Sequence, residues 1–410
     1  MTTQNKNVPA LRFTEFVSDW DEKKLEDISF WASGGTPSKD NALFWNGDIP
    51  WISASSMRGI EYSDSELKLT QDGLKNGSRL AEKGSLLILV RGSMLFKTIP
   101  VGIVSRDVAF NQDVKSIKCN DETTSIYILY WLLSLENKLL NMVVGTGIGA
   151  GKLELSDLKQ LPINLPTFPE QQKIAAFLTA VDEKIQQLAK KKDLLEQYKK
   201  GVMQKIFNQE IRFKDDNGND FADWELTELK EIAVRVKDKN KSNEINKVLT
   251  NSATRGIVSQ QDYFDKDIAN QNNLEGYYIV EKDDFVYNPR ISASAPVGPI
   301  KRNNLEKGLM SPLYSVFRFN DVNLDFIEQF FETSLWHDYL KSIANYGARH
   351  DRMNITVEGF FAMPILLPIK PEQQKIADFL SAIDDKVNLV NQQLDKTKEF
   401  KKGLLQQMFV

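Results

Sequence analysis

PEQQKIAAFLTAVDEKIQQLAKKKDLLEQYKKGVMQKIF, from Pro169 to Phe207, returns as PEQQKIADFLSAIDDKVNLVNQQLDKTKEFKKGLLQQMF, from Pro371 to Phe409. In the first copy the apolar residues Ile174, Leu178, Val181, Ile185 and Leu188 fall alternately four and three apart. Ile376, Leu380, Ile383, Val387 and Val390 repeat that spacing in the second copy. A 4-3 period held over about five heptads predicts a long helix with a narrow seam, built to pair with another helix. Each copy opens with Pro at an expected first helical position and Glu beside it, where a missing N–H is harmless and a carboxylate suits the helix dipole. At 1.5 Å per residue each helix should be roughly 58 Å long. The simplest way to bury two such seams in one chain is against each other.

The repeat extends beyond the helices. Leu11-Arg12-Phe13, Asp19-Trp20 and Leu25 return as Ile211-Arg212-Phe213, Asp223-Trp224 and Leu229. Leu161-Pro162-Ile163 before the first helix matches Met363-Pro364-Ile365 before the second. The expected organisation is lobe 1–168, helix 169–207, lobe 208–370 and helix 371–410, with the Asp215–Asp220 cluster as linker. Inside the lobes Arg58-Gly59 lines up with Arg255-Gly256, Arg91 with Arg290, and Gly145 with Gly347. Apolar runs such as Leu86–Val90 and Phe285–Tyr287 read as strands, while 125–140 and 325–343 read as helices. The fold class is α+β: two similar lobes, each with a curved sheet or small barrel, separated by an antiparallel coiled coil with pseudo-two-fold symmetry.

Of the 410 residues, 41% are hydrophobic and 26% charged. No apolar run approaches the length needed to span a bilayer. The N-terminal residues lack the apolar centre of a secretion signal. The single cysteine, Cys119, excludes an internal disulfide framework, and two histidines leave little material for a metal centre. These bounds place the chain in the cytoplasm. A net charge of −4 excludes a wholly basic nucleic-acid coat, so DNA binding has to come from local basic patches or from partners that share phosphate contacts.

No catalytic constellation emerges. Gly145–Gly151 resembles a dinucleotide loop without the following βαβ unit, and Asn288-Pro289-Arg290 lacks the second Pro and the aromatic of the adenine-methyltransferase tetrapeptide Asn-Pro-Pro-aromatic. The set that remains is basic or amide-bearing. Arg58, Arg91, Asn111, Gln112 and Lys152 in the first lobe, with Arg255, Arg290, Arg349, His350 and Arg352 in the second, are DNA-binding candidates. Arg and amide side chains can reach base edges bidentately, and glycine loops allow close backbone approach. Lys192, Lys199 and Lys401 fall on the helix seam, where polar residues fix register at some cost in stability. Gly201 and Gly403 sit inside the helices; close crossing, partner docking or plain inheritance from the duplication would account for them.

Taken together, the duplicated PEQQKIA helices, the LPI approach to each, the LRF…DW entry, Gly35-Thr36-Pro37-Ser38 and Gly47–Ile52 resemble the specificity subunit of type I restriction-modification enzymes. The resemblance covers essentially the whole chain. It implies that each lobe reads half of a bipartite, double-stranded DNA target and that the chain itself is non-catalytic. It also implies two methyltransferase subunits carrying S-adenosylmethionine, and restriction/translocase subunits, with ATP and magnesium on those partners. Unlike lobes should read unlike half-sites. Lobe centres roughly 40–60 Å apart would address positions about 12–17 base pairs apart on B-DNA. A protein-binding coiled-coil adaptor and a stand-alone DNA-binding repressor are the alternatives; a salt-sensitive footprint without methyltransferase favours the repressor, and no effect on DNA favours the adaptor.

Overall fold

In the computed structural model the first long helix spans Phe168–Phe207 and the second Lys370–Gln407. Residues 7–147, 149–263, 274–346 and 351–410 are described. The chain divides into two compact units, 1–190 with 391–410, and 191–390. Each unit therefore holds one lobe, one stretch of each helix, and an antiparallel pairing between those stretches.

The seam packs as its period predicts. Ile174, Leu178, Val181 and Leu188 are buried in the first unit, as are Ile376, Leu380, Ile383 and Val390 in the second, while Ile185 and Val387 are half-buried. The same polar contact recurs in each unit. Lys401 Nζ lies 2.6 Å from an Asp182 carboxylate oxygen, and Lys199 Nζ lies 2.7 Å from Asp384. Asp182 also accepts the Tyr130 hydroxyl at 2.8 Å, and Asp384 the Gln329 amide at 3.0 Å. Two of the three seam lysines thus meet carboxylates of the other helix, which fixes one register. Lys192 instead pairs with Glu196 of its own helix.

The shared motifs flanking the helices form one clamp, built twice. Arg12 grips the buried Glu170 carboxylate through Nε at 2.7 Å and Nη2 at 2.8 Å, and the Trp20 indole donates to it at 3.3 Å. Arg212, Glu372 and Trp224 repeat this at 2.8, 2.9 and 3.1 Å. The role of that glutamate is thus a buried, forked ion pair rather than a surface dipole contact. The next residue, Gln171 or Gln373, donates to the carbonyl of Pro166 or Pro368, which holds the chain entering the helix. The motif around each Trp and the Leu-Pro-Ile segment pair as strands: Asp21–Lys24 with Pro162–Leu165, and Glu225–Glu228 with Pro364–Leu367.

Each lobe is built on one four-strand core in the same order. In the first it runs Ser29–Ser33, Val114–Cys119, Leu86–Leu89, Val101–Val104, with Glu61–Tyr62 added at the edge. In the second it runs Ala233–Arg235, Ser315–Phe319, Phe285–Tyr287, Ile300–Arg302. Leu86–Leu89 and Phe285–Tyr287 are hydrophobic and buried at every position, as a strand covered on both faces must be. The expected helix over 125–140 breaks at Leu135 into Ser125–Ser134 and Glu136–Asn141, and that over 325–343 into Leu324–Phe331 and His337–Ile343. The Asp215–Asp220 cluster lies inside the second unit, folded into a turn in which Asp215 Oδ1 accepts the amides of Asn217 and Asn219.

Candidate nucleic-acid interface

In the first lobe the strand register gathers the candidate residues at one sheet end. Leu89 stands opposite Val114, Ile88 opposite Val101, and Ser33 opposite Lys115. The chain leaving or entering those strands, Gly34–Thr36, Val90–Arg91 and Asn111–Asp113, therefore shares that end. Val90 ties them together: its N–H donates to Asp113 and its carbonyl accepts from Leu153, both by 2.9 Å or less. Arg91–Gly92 pairs antiparallel with Gly151–Lys152, so Arg91 and Lys152 are cross-strand neighbours. Gly151 is required there, because an added Cβ would sit 2.7 Å from Val143 Cγ1. Gly145 and Gly151 stand opposite each other in a second antiparallel pairing, Val144–Gly145 with Gly151–Lys152. Arg91 is exposed; Lys152 is half-buried and paired with Glu154 at 2.6 Å.

The second lobe repeats the device with arginines. Tyr287 stands opposite Ile300 and Ser315, and the chain then turns through Asn288-Pro289 to Arg290, which bridges antiparallel to Arg352. Backbone hydrogen bonds of 3.0 Å on either side, Ile291 to Asp351 and Met353 to Pro289, hold the pair. Both arginines are exposed. Arg349 and His350 lie outside the described residues.

Arg58 and Arg255 are exposed in matched turns, each followed by a glycine of positive φ, +73° at Gly59 and +69° at Gly256. No atom crowds either glycine, so backbone conformation alone explains the residue type. Asn111 and Gln112 separate in role. Asn111 is buried, and its Oδ1 accepts the amides of Asp113 and Val114, both at 3.1 Å. Gln112 is exposed, its Oε1 accepting the Thr36 hydroxyl at 2.6 Å. Lys115 Nζ donates to the Gln112 carbonyl at 2.7 Å, and burial pushes that ammonium below its ordinary pKa. Sequence reasoning overlooked Thr36, Lys39, Ser53 and Ser55, which join Gln112 around a groove of about 570 Å³. The usable signal was the Ser-rich run before Arg58.

Among the described residues no group of His, Cys, Asp or Glu could hold a metal ion, and no helix is long and apolar enough to cross a membrane.

The family model described as "Type I restriction modification DNA specificity domain" matches residues 17–197 and again 222–399. The chain is 32% identical over 174 residues to the EcoR124I/EcoR124II specificity subunit of Escherichia coli, covering 42% of this chain and 43% of that one. It is 30% identical over 226 residues to the MjaIX specificity subunit of Methanocaldococcus jannaschii, covering 52% and 51%. The chain thus spans about half the length of these two relatives. A putative MjaX specificity subunit from the same organism aligns at 23% identity over 98% of this chain and 95% of its own. In fold, the chain resembles the type I system S subunit of M. genitalium, with a TM-score of 0.56 at 15% identity, over 98% and 99% of the two chains. A chain solved in work on complex assembly and conformational transition of the type I system gives 0.56 at 14% identity, over 94% and 96%.

Proposed function

The chain belongs to the type I restriction-modification DNA specificity family, and from that premise we propose that it is the sequence-reading subunit of a methylating and restricting complex. Each lobe reads one half of an asymmetric, bipartite DNA target, and the helices set the spacing and dock two methyltransferase subunits. The observation that carries this reading is the basic cross-strand pair at the same sheet end of both lobes, Arg91 with Lys152 and Arg290 with Arg352. Guanidinium groups projecting from a rigid sheet end suit guanine edges or phosphates. The lobes differ in their basic sets, so the two half-sites differ.

The chain itself performs no covalent step. S-adenosylmethionine belongs to the methyltransferase subunits, and ATP and magnesium to restriction/translocase subunits. With a net charge of −4, phosphate neutralisation is local and is shared with those partners. The complex acts in the cytoplasm.

The test is expression of the full chain with its methyltransferase. The two should co-purify, and adenine methylation mapped across a genome should show a two-part motif with an unread centre. No co-purification and no change in the methylated adenines would refute the reading.

A further inference from the structure

The groove beside Gln112 has the chemistry of a base-edge site rather than a phosphate site. The Asp113 carboxylate lines it and repels phosphate, while Thr36, Ser53 and Ser55 contribute hydroxyls and Lys39 an exposed ammonium. Asn111 is committed to the amides of its own turn. Gln112 is the outward-facing amide, and it is held twice, by Thr36 at its side chain and by Lys115 at its backbone. The hydroxyl of Thr36 occupies one lone pair of Oε1. The other lone pair remains, and Nε2 has no partner among the described residues. A planar group offering one acceptor beside one donor complements the N6–H and N7 of adenine in the major groove.

The equivalent turn of the second lobe has no counterpart of Gln112. Its strand Gly308–Met310 pairs antiparallel with Tyr278–Val280, as Val108–Phe110 pairs with Arg79–Ala81. The turn that follows reads Ser311-Pro312-Leu313, so Pro312, which has no side-chain amide, stands where Gln112 does.

We propose that Gln112 reads an adenine in the half-site of the first lobe, with Thr36 as its positioning residue. This rests on the reading of the lobes as DNA readers. The full chain, co-expressed with its methyltransferase, is compared as wild type, Gln112→Ala and Thr36→Val by mapping methylated adenines. In Gln112→Ala one A·T position of one half-site should become degenerate, with discrimination there falling about 5- to 150-fold. The other half-site should be unchanged. Thr36→Val should loosen the same position less, and no other.

An unchanged motif in Gln112→Ala overturns the proposal. So does relaxation at a G·C pair, or a uniform loss of methylation at both half-sites, since an exposed reader of one base leaves all other contacts intact. A wild-type chain that yields no two-part motif would instead sink the proposed function.

Discussion

Arg91 and Arg290 occupy equivalent places in different lobes, so their loss should be felt in different half-sites. Arg91→Ala and Arg290→Ala should each cost about 1–3 kcal/mol of binding to one half-site and leave the other intact. Binding to a panel of single-base variants checks this; an arginine whose removal alters no variant is structural. Arg212 looks similar in the sequence but does opposite work. It is 23% exposed, and it forks onto a Glu372 side chain that is fully buried. Arg212→Ala leaves that carboxylate with the Trp224 indole alone, a loss of about 3–5 kcal/mol in folding stability. Chemical denaturation should show it, and Arg212→Met together with Glu372→Leu should recover most of it. Nothing local distinguishes these two classes of arginine. The clamp joins residues about 160 apart in the chain, so only its recurrence beside each PEQQ motif hinted at it. The pairing of Arg91 with Lys152 was half-legible, because both ends of the glycine hairpin align between the lobes. Burial of Asn111 was not, since an amide folded back on its own turn leaves no periodic trace.

At the scale of the helices, the two ion pairs rank themselves by burial. Asp182 is 13% exposed beneath Lys401, whereas Asp384 is 37% exposed beneath Lys199. Lys401→Met should therefore destabilise more than Lys199→Met, by about 1–3 kcal/mol against about 1 kcal/mol or less. Equal losses would mean that the carboxylates are equally wet. Gly201 and Gly403 tell a different story. An added Cβ would meet nothing within 4 Å at Gly201 and only the Gln407 amide at 3.9 Å at Gly403. Close helix crossing within this chain does not explain them. Gly201→Ala should raise stability by about 1 kcal/mol, read as a higher melting temperature; a fall would reveal a hidden contact. The long helices were legible because a 4-3 apolar period survives every solvent-facing substitution. The break at Leu135 was not, because the run from Ile126 to Leu140 carries no glycine or proline to mark it.

For the whole molecule, duplication means that each lobe is completed by the end of the helix belonging to the other repeat. In the first unit Leu404, Met408 and Phe409 join the core, and Phe409 lies 5.4 Å from Tyr127. In the second, Ile206 and Phe207 do the same, with Phe207 at 5.3 Å from Phe326. A fragment of residues 1–208 would lack the first set but carry the second. Two copies can exchange them, each offering its Ile206 and Phe207 to the other's lobe. Lys199 does not oppose this, because Lys199 of one copy can meet Asp182 of the other, the contact that Lys401 makes in the full chain. Leaving the seam of Ile174, Leu178, Val181, Ile185 and Leu188 wet costs roughly 1.5–3 kcal/mol per side chain. That exceeds the entropy of joining two chains at micromolar concentration. The fragment should therefore be a homodimer with two identical lobes, and with its methyltransferase it should modify an inverted repeat of the first half-site around an unread centre. Light scattering reads the mass, and mapped methyladenines read the target. A monomeric fragment, or an asymmetric target unchanged from that of the full chain, would show that the two repeats are not interchangeable.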